Sequence, residues 1–140
     1  MRRPVRDYYP AWSRMMLHWL YTYGYSGRLP DQLQTLAEQL NAVVADIRFS
    51  PRSRLPDWSA GRLQKLLGDP YRHLPSLGNR NYKGGPIEFV DLEGGVVEVG
   101  QLLRQQPVIL LCVCADVQRC HRLPAAEAIA TRYGVTIEHC

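Results

Sequence analysis

The chain has 140 residues, 46% of them hydrophobic and 21% charged, which suits one compact domain with its own core. No apolar run is long enough for a membrane-spanning helix, and the first 15 residues lack the apolar stretch of a secretory signal, so the expectation is a soluble, cytoplasmic protein with no membrane partner. Of the formal net charge of +4, Arg2, Arg3, Arg6 and Arg14 against Asp7 place +3 in those 15 residues and leave +1 for the remainder, which argues against a surface built wholly to hold nucleic acid.

Residues 1–15 carry no periodic pattern and are read as an N-terminal extension to a single α/β domain over 16–140. Leu17 to Tyr23 is aromatic and apolar, as a buried strand should be, and Gly24-Tyr25-Ser26-Gly27 ends it in a turn. Leu33, Leu36, Ala37 and Leu40 then repeat at helical spacing behind Asp31. Val43 to Ile47 is a short branched run of the kind found in parallel sheets covered on both faces, with Asp46 its polar exception. Ser59 is placed to cap a helix through Leu63, Leu66 and Leu67 that Gly68 stops, and Tyr71 to Leu74 reads as a third strand.

Residues 75–95 hold Gly78, Gly84, Gly85, Gly94 and Gly95, so an ordered insertion or mobile loop is expected there, with one brief extended piece at Ile87 to Leu92. A helix over Val96 to Gln105, a strand over Val108 to Val113, a helix presenting Leu123, Ala126, Ala130 and Tyr133, and a short strand at Val135 to Glu138 complete the order. Alternation of strand and helix predicts a Rossmann-like three-layer α/β/α sandwich on a mainly parallel sheet of about five strands.

Two strand ends carry the chemistry. DIRFSPRSR (Asp46 to Arg54) joins a carboxylate to Arg48, Arg52 and Arg54, a set suited to clamping phosphate or carboxylate, with Asp46 as orienting group or general base. CVCADVQRCHR (Cys112 to Arg122) brings thiols, His121 and Arg122 to the start of a helix, where Pro124 suits the first turn and backbone N–H groups favour an anion. A thiol beside such a terminus and an Arg has its pKa lowered, which makes Cys120 the candidate nucleophile and His121 a proton carrier. Loops leaving the carboxyl ends of neighbouring parallel strands meet at one crevice, so the two segments are expected to share a pocket, with Tyr25, Ser26, Cys112 and Asp116 at its margin.

The bland readings are a structural Asp46–Arg ion-pair network, and Cys112 and Cys114 as small buried apolar residues. All four cysteines (Cys112, Cys114, Cys120, Cys140) fall in the last 29 residues, a pattern of reduced thiols rather than of a disulfide scaffold. Zinc on Cys112, Cys114, Cys120 and His121 has enough ligands, but a CxC followed by CH is not a standard metal knuckle, so no metal or other cofactor is expected. Nor does the spacing match a phosphatase or rhodanese loop, which needs an Arg six residues after the Cys; Arg119 stands five after Cys114 and seven after Cys112. His18, His73, Trp12, Trp19 and Trp58 are read as packing residues.

LYTYGYSGR (Leu20 to Arg28), DIRFSPRSR, HLPSLGN (His73 to Asn79) and LLCVCADVQRCHR (Leu110 to Arg122), in that order, make the chain resemble the family termed domain of unknown function 488 over nearly all of residues 17–140. In that pattern Cys112, Asp116, Cys120, His121 and Arg122 match, while Cys114 stands where a Glu is typical. The resemblance implies an α/β fold and an enzyme-like polar pocket, and no particular activity. The expected function is that of a hydrolase or transferase acting on a small phosphorylated or nucleotide-like anion, held by Arg48, Arg52, Arg54 and Arg122. The alternative is a noncatalytic module for nucleic acid or an acidic partner, whose binding would fall steeply with salt.

Overall fold

The computed structural model describes residues 17–52 and 54–140. The expected N-terminal extension and Trp12 lie outside the described residues. Five strands, β1 (Leu20–Gly24), β2 (Val43–Asp46), β3 (Tyr71–His73), β4 (Val108–Cys112) and β5 (Ile137–His139), form one sheet in the order β3-β2-β4-β1-β5. Every pairing among them is parallel, as the branched, continuously apolar central strands β2 and β4 lead one to expect. Four helices connect them: α1 (Pro30–Leu40), α2 (Ala60–Leu67), α3 (Leu92–Leu103) and α4 (Arg122–Tyr133).

Period-two alternation along β4 divides the core in two. Val108, Leu110 and Cys112 pack with Val96, Val99 and Leu103 of α3 and Ala125, Ala126 and Ile129 of α4. Ile109 and Leu111 pack on the opposite face with Leu33 and Ala37 of α1 and Leu63 of α2. This is the three-layer α/β/α sandwich. Chains leaving β1 and β2 therefore cross one face of the sheet, and those leaving β3 and β4 cross the other. β2 and β4 are neighbours whose outgoing connections part, which opens a crevice beyond their carboxyl ends.

Local chemistry accounts for most element ends. Ser59 accepts a hydrogen bond from the Arg62 N–H to cap α2, and Gly134 (φ 69°) ends α4 in a left-handed residue. Two expectations shift. α3 begins at Leu92 rather than Val96, because the Asp91 side chain caps it by accepting from the Gly94 N–H, so Gly94 and Gly95 lie inside the first turns instead of breaking them. A Cβ at Gly95 would overlap the Leu77 side chain, which identifies that glycine as a packing contact. In α4 the buried face is Arg122, Ala125, Ala126 and Ile129, turned from the expected Leu123, Ala126, Ala130 and Tyr133. The extended piece expected at Ile87 to Leu92 is reduced to a single antiparallel bridge between Asn79 and Phe89.

Gly24 ends β1 opposite Cys112. A Cβ there would run into the Cys114 backbone carbonyl and the Arg122 guanidinium, so this position fixes how closely the β4–α4 loop approaches the sheet. Gly24→Ala should cost about 1–3 kcal/mol, as overpacking against backbone does. Urea denaturation measures it, and an unchanged midpoint would contradict the close approach.

Candidate functional site

The Asp46 carboxylate at the end of β2 is fully buried, and the Arg48 side chain is 4% exposed. Arg48 Nε donates to Asp46 Oδ1 at 2.8 Å, and its NH2 donates to Oδ2 at 2.5 Å. Asp46 Oδ1 also accepts the Arg48 backbone N–H at 3.2 Å, and Oδ2 accepts the Tyr71 hydroxyl at 2.5 Å. Arg48 NH1 donates to the Trp58 carbonyl at 2.8 Å and to the Tyr25 hydroxyl at 3.4 Å. Tyr25 stacks on Trp58 with ring centroids 4.3 Å apart. Burial alone would lower the Arg48 pKa, but the Asp46 hydrogen bonds and charge prevail and raise it. Burial, then the Asp46 charge, raises that of Tyr71.

This geometry corrects two roles read from sequence. Asp46 has its oxygens occupied and no solvent access, so it orders the β2 end instead of serving a substrate as base. Arg48 borders the cleft, yet its guanidinium is turned inward onto Asp46. Arg122 behaves similarly. It is 1% exposed, and its NH1 donates to the Cys114 carbonyl and to Cys112 Sγ, while NH2 reaches the Ala115 carbonyl at 3.4 Å. It holds the β4–α4 loop in shape, and burial lowers its pKa.

The crevice predicted by the strand order is occupied by a cleft of about 630 Å³. Residues from both strand-end segments line it: Arg48, Phe49, Ser50 and Arg52 from one, and Cys112, Val113, Cys114, Arg119, Cys120 and His121 from the other. The 75–95 insertion closes the third side with Asn79, Asn81, Tyr82, Gly84, Gly85 and Ile87. No carboxylate is among these described lining residues, whereas Arg52 and Arg119 stand exposed beside it. The exposed rings of Phe49 and Tyr82 stack at the mouth, centroids 5.6 Å apart. Arg54, Arg122, Asp116, Tyr25 and Ser26 do not line the cleft; Asp116 instead accepts the Gln118 N–H in a 3-10 turn at Val117–Arg119.

On the cleft floor His121 joins the two segments. Its Nε2 lies 2.8 Å from the Ile47 carbonyl, which can only accept, so Nε2 carries the proton and Nδ1 keeps its lone pair. Nδ1 lies 3.9 Å from Cys120 Sγ. Desolvation lowers the His121 pKa, with the Ile47 carbonyl opposing and the Arg122 charge assisting, which favours the neutral ring. Cys112 and Cys120, both buried, meet sulfur to sulfur as a disulfide pair, against the expectation of four reduced thiols, because the loop between them folds back on itself; Cys114 and Cys140 are free. The helix terminus itself offers few donors, because the Leu123 N–H is taken by the Cys120 carbonyl and Pro124 has none.

Sequence reasoning missed Asn79, Asn81, Tyr82 and Arg119. The signal available was NYKGG (Asn81 to Gly85), a polar, glycine-rich run shortly after the end of the third strand.

Removing one partner of a buried ion pair strands the other, typically at about 3–5 kcal/mol. Asp46→Ala should lose that much stability in chemical denaturation, and adding Arg48→Met should recover part of it. A double variant less stable than Asp46→Ala would show that the pair is not the coupled unit. Comparison with protein-family models, curated proteins and solved structures gave no match for this chain.

Proposed function

We propose that the protein is an enzyme of hydrolase or transferase type that takes a small phosphorylated or nucleotide-like anion into the cleft between the β2 and β4 loops. The observation that carries this reading is a cleft whose described lining holds exposed arginines, a thiol and an imidazole, and no carboxylate. Arg52 and Arg119 are the exposed cations at the cleft, Arg119 within 3.9 Å of the exposed Asp116 carboxylate outside the lining, whereas Arg48 and Arg122 are engaged within the fold. The paired faces of Phe49 and Tyr82 suit a planar base at the mouth.

The reacting centre in this reading is Cys120 with His121 once the Cys112–Cys120 disulfide is reduced. A neutral imidazole with its Nδ1 lone pair toward that sulfur can then accept the thiol proton, and a thiolate is the reactive form of cysteine. The topology agrees, because open parallel sheets bind ligands outside the carboxyl ends of strands whose connections diverge.

Titration calorimetry of the full chain with a nucleoside monophosphate should detect binding. Charge-assisted hydrogen bonds contribute about 1.5–3 kcal/mol each, so Arg52→Ala and Arg119→Ala should each weaken it by roughly tenfold or more without lowering Tm. Equal affinity in both variants and the parent would remove the cleft as the anion site. Tight, steeply salt-dependent binding of a long polynucleotide, with none of the mononucleotide, would favour the noncatalytic module instead.

A further inference from the structure

Three atoms of metal-ligating type converge on the floor of the cleft. Cys112 Sγ at the end of β4, Cys120 Sγ just before α4 and a ring nitrogen of His121 all lie within 4.8 Å of one another. The cysteines are eight residues apart, and the loop between them folds back through the Val117–Arg119 turn to bring them together. Both sulfurs are shielded from bulk water, yet all three side chains border the cleft.

The histidine is held as a ligand would need it. With the Ile47 carbonyl fixing the proton on Nε2, Nδ1 faces the Cys120 sulfur with a free lone pair. Metal-ligating histidines characteristically give their other ring N–H to a carbonyl or carboxylate in this way. Arg122 NH1, 3.5 Å from Cys112 Sγ, places a cation where a thiolate would be stabilised. The two sulfurs are joined as a disulfide pair, so the three donors become available together in the reduced chain.

We propose that Cys112, Cys120 and His121 form a three-ligand site for a zinc-class divalent cation, with the remaining coordination position open to the cleft. Two thiolates and an imidazole are the soft and borderline donors such an ion prefers, and two cysteines with one histidine are a known donor set of open zinc sites. A thiol reductant first supplies two electrons and two protons to convert the Cys112–Cys120 disulfide to two thiols; on binding, those two protons pass to solvent and the ion accepts one electron pair from each sulfur and one from Nδ1, with no further redox change. In the metal-bound chain Cys120 is a ligand, so the thiolate chemistry of the proposed function belongs to the reduced, metal-free form. The short spacing that spoke against zinc is resolved by geometry, since the loop and not a knuckle supplies the convergence. Only the identity of what fills the open position rests on the proposed anion chemistry.

The test is made on the full chain, reduced and without any anionic ligand. Equilibrated with Zn²⁺ and then dialysed, it should retain about one equivalent by elemental analysis. Co²⁺ should give thiolate-to-cobalt charge-transfer absorption and the strong visible bands of a tetrahedral site. Cys112→Ser, Cys120→Ser and His121→Ala should each weaken the metal by roughly tenfold or more, while Cys114→Ser and Cys140→Ser leave affinity unchanged. Circular dichroism identifies any variant that fails to fold, and the Cys114→Ser and Cys140→Ser spectra keep the assignment decidable in that case. Absence of retained metal, affinity unmoved in a folded Cys120→Ser chain, or a Cys112–Cys120 disulfide persisting under reductant would each overturn the site. Mononucleotide binding measured in the same preparations reports separately on the proposed function.

Discussion

The three residues Asp46, Ile47 and Arg48 set the geometry of the sheet's carboxyl edge. Burying a carboxylate and a guanidinium is costly unless each is fully paired, and here the partners come from three separate stretches of chain: Tyr71 of β3, the Trp58 carbonyl ahead of α2, and Tyr25 after β1. Satisfying that pair therefore requires three connections to take their native positions together. With the side chains turned inward, the intervening backbone carbonyls are left to orient the histidines. Ile47 accepts from His121, and the Arg48 carbonyl lies 2.9 Å from His73 Nε2. The β2 end thus acts as a rigid template against which the β4–α4 loop is registered.

This arrangement separates the arginines into two populations that composition alone does not distinguish. Arg48 and Arg122 are buried, and their charge is spent on an internal carboxylate and on loop carbonyls. Arg52 and Arg119 stand a few residues away on the same loops and remain exposed at the cleft. One population braces the walls from within and the other stands exposed at the cleft, Arg119 beside the Asp116 carboxylate. A side chain with a planar, five-donor head suits both tasks, because it pairs bidentately when dry and attracts anions when wet.

The fold was legible in the residues because its signals are local. Branched runs such as Val43 to Ile47, helical spacing from Leu33 to Leu40 and the Ser59 and Gly134 caps each act within a few positions of chain. The location of the cleft was legible too, since strand-end loops must meet at a parallel sheet's carboxyl edge. Individual roles were not. Whether Arg48 faces a ligand or Asp46 depends on Tyr71, Trp58 and Tyr25, which are distant in sequence. The face of α4 was misjudged because alanine is nearly indifferent to burial, so the phase is set by Arg122 and Ile129, and a buried arginine inverts the usual polarity cue. The start of α3 was misplaced because Gly94 and Gly95 signal a break by propensity, whereas Asp91 capping and the fit against Leu77 override it.

The same logic explains why the thiols and His121 belong together. A buried cysteine alone is an inert apolar residue, and a half-buried histidine alone is a packing group. Here the ring proton is assigned by a carbonyl that cannot move without disturbing Asp46 and Arg48, and the lone pair is consequently aimed, not free to rotate. A guanidinium that cannot leave its loop carbonyls stands against Cys112. The inward ion pair at β2 therefore fixes where His121 and the two sulfurs meet, and the same residues on a β2 end without it would lack the Ile47 carbonyl in the place that orients the ring.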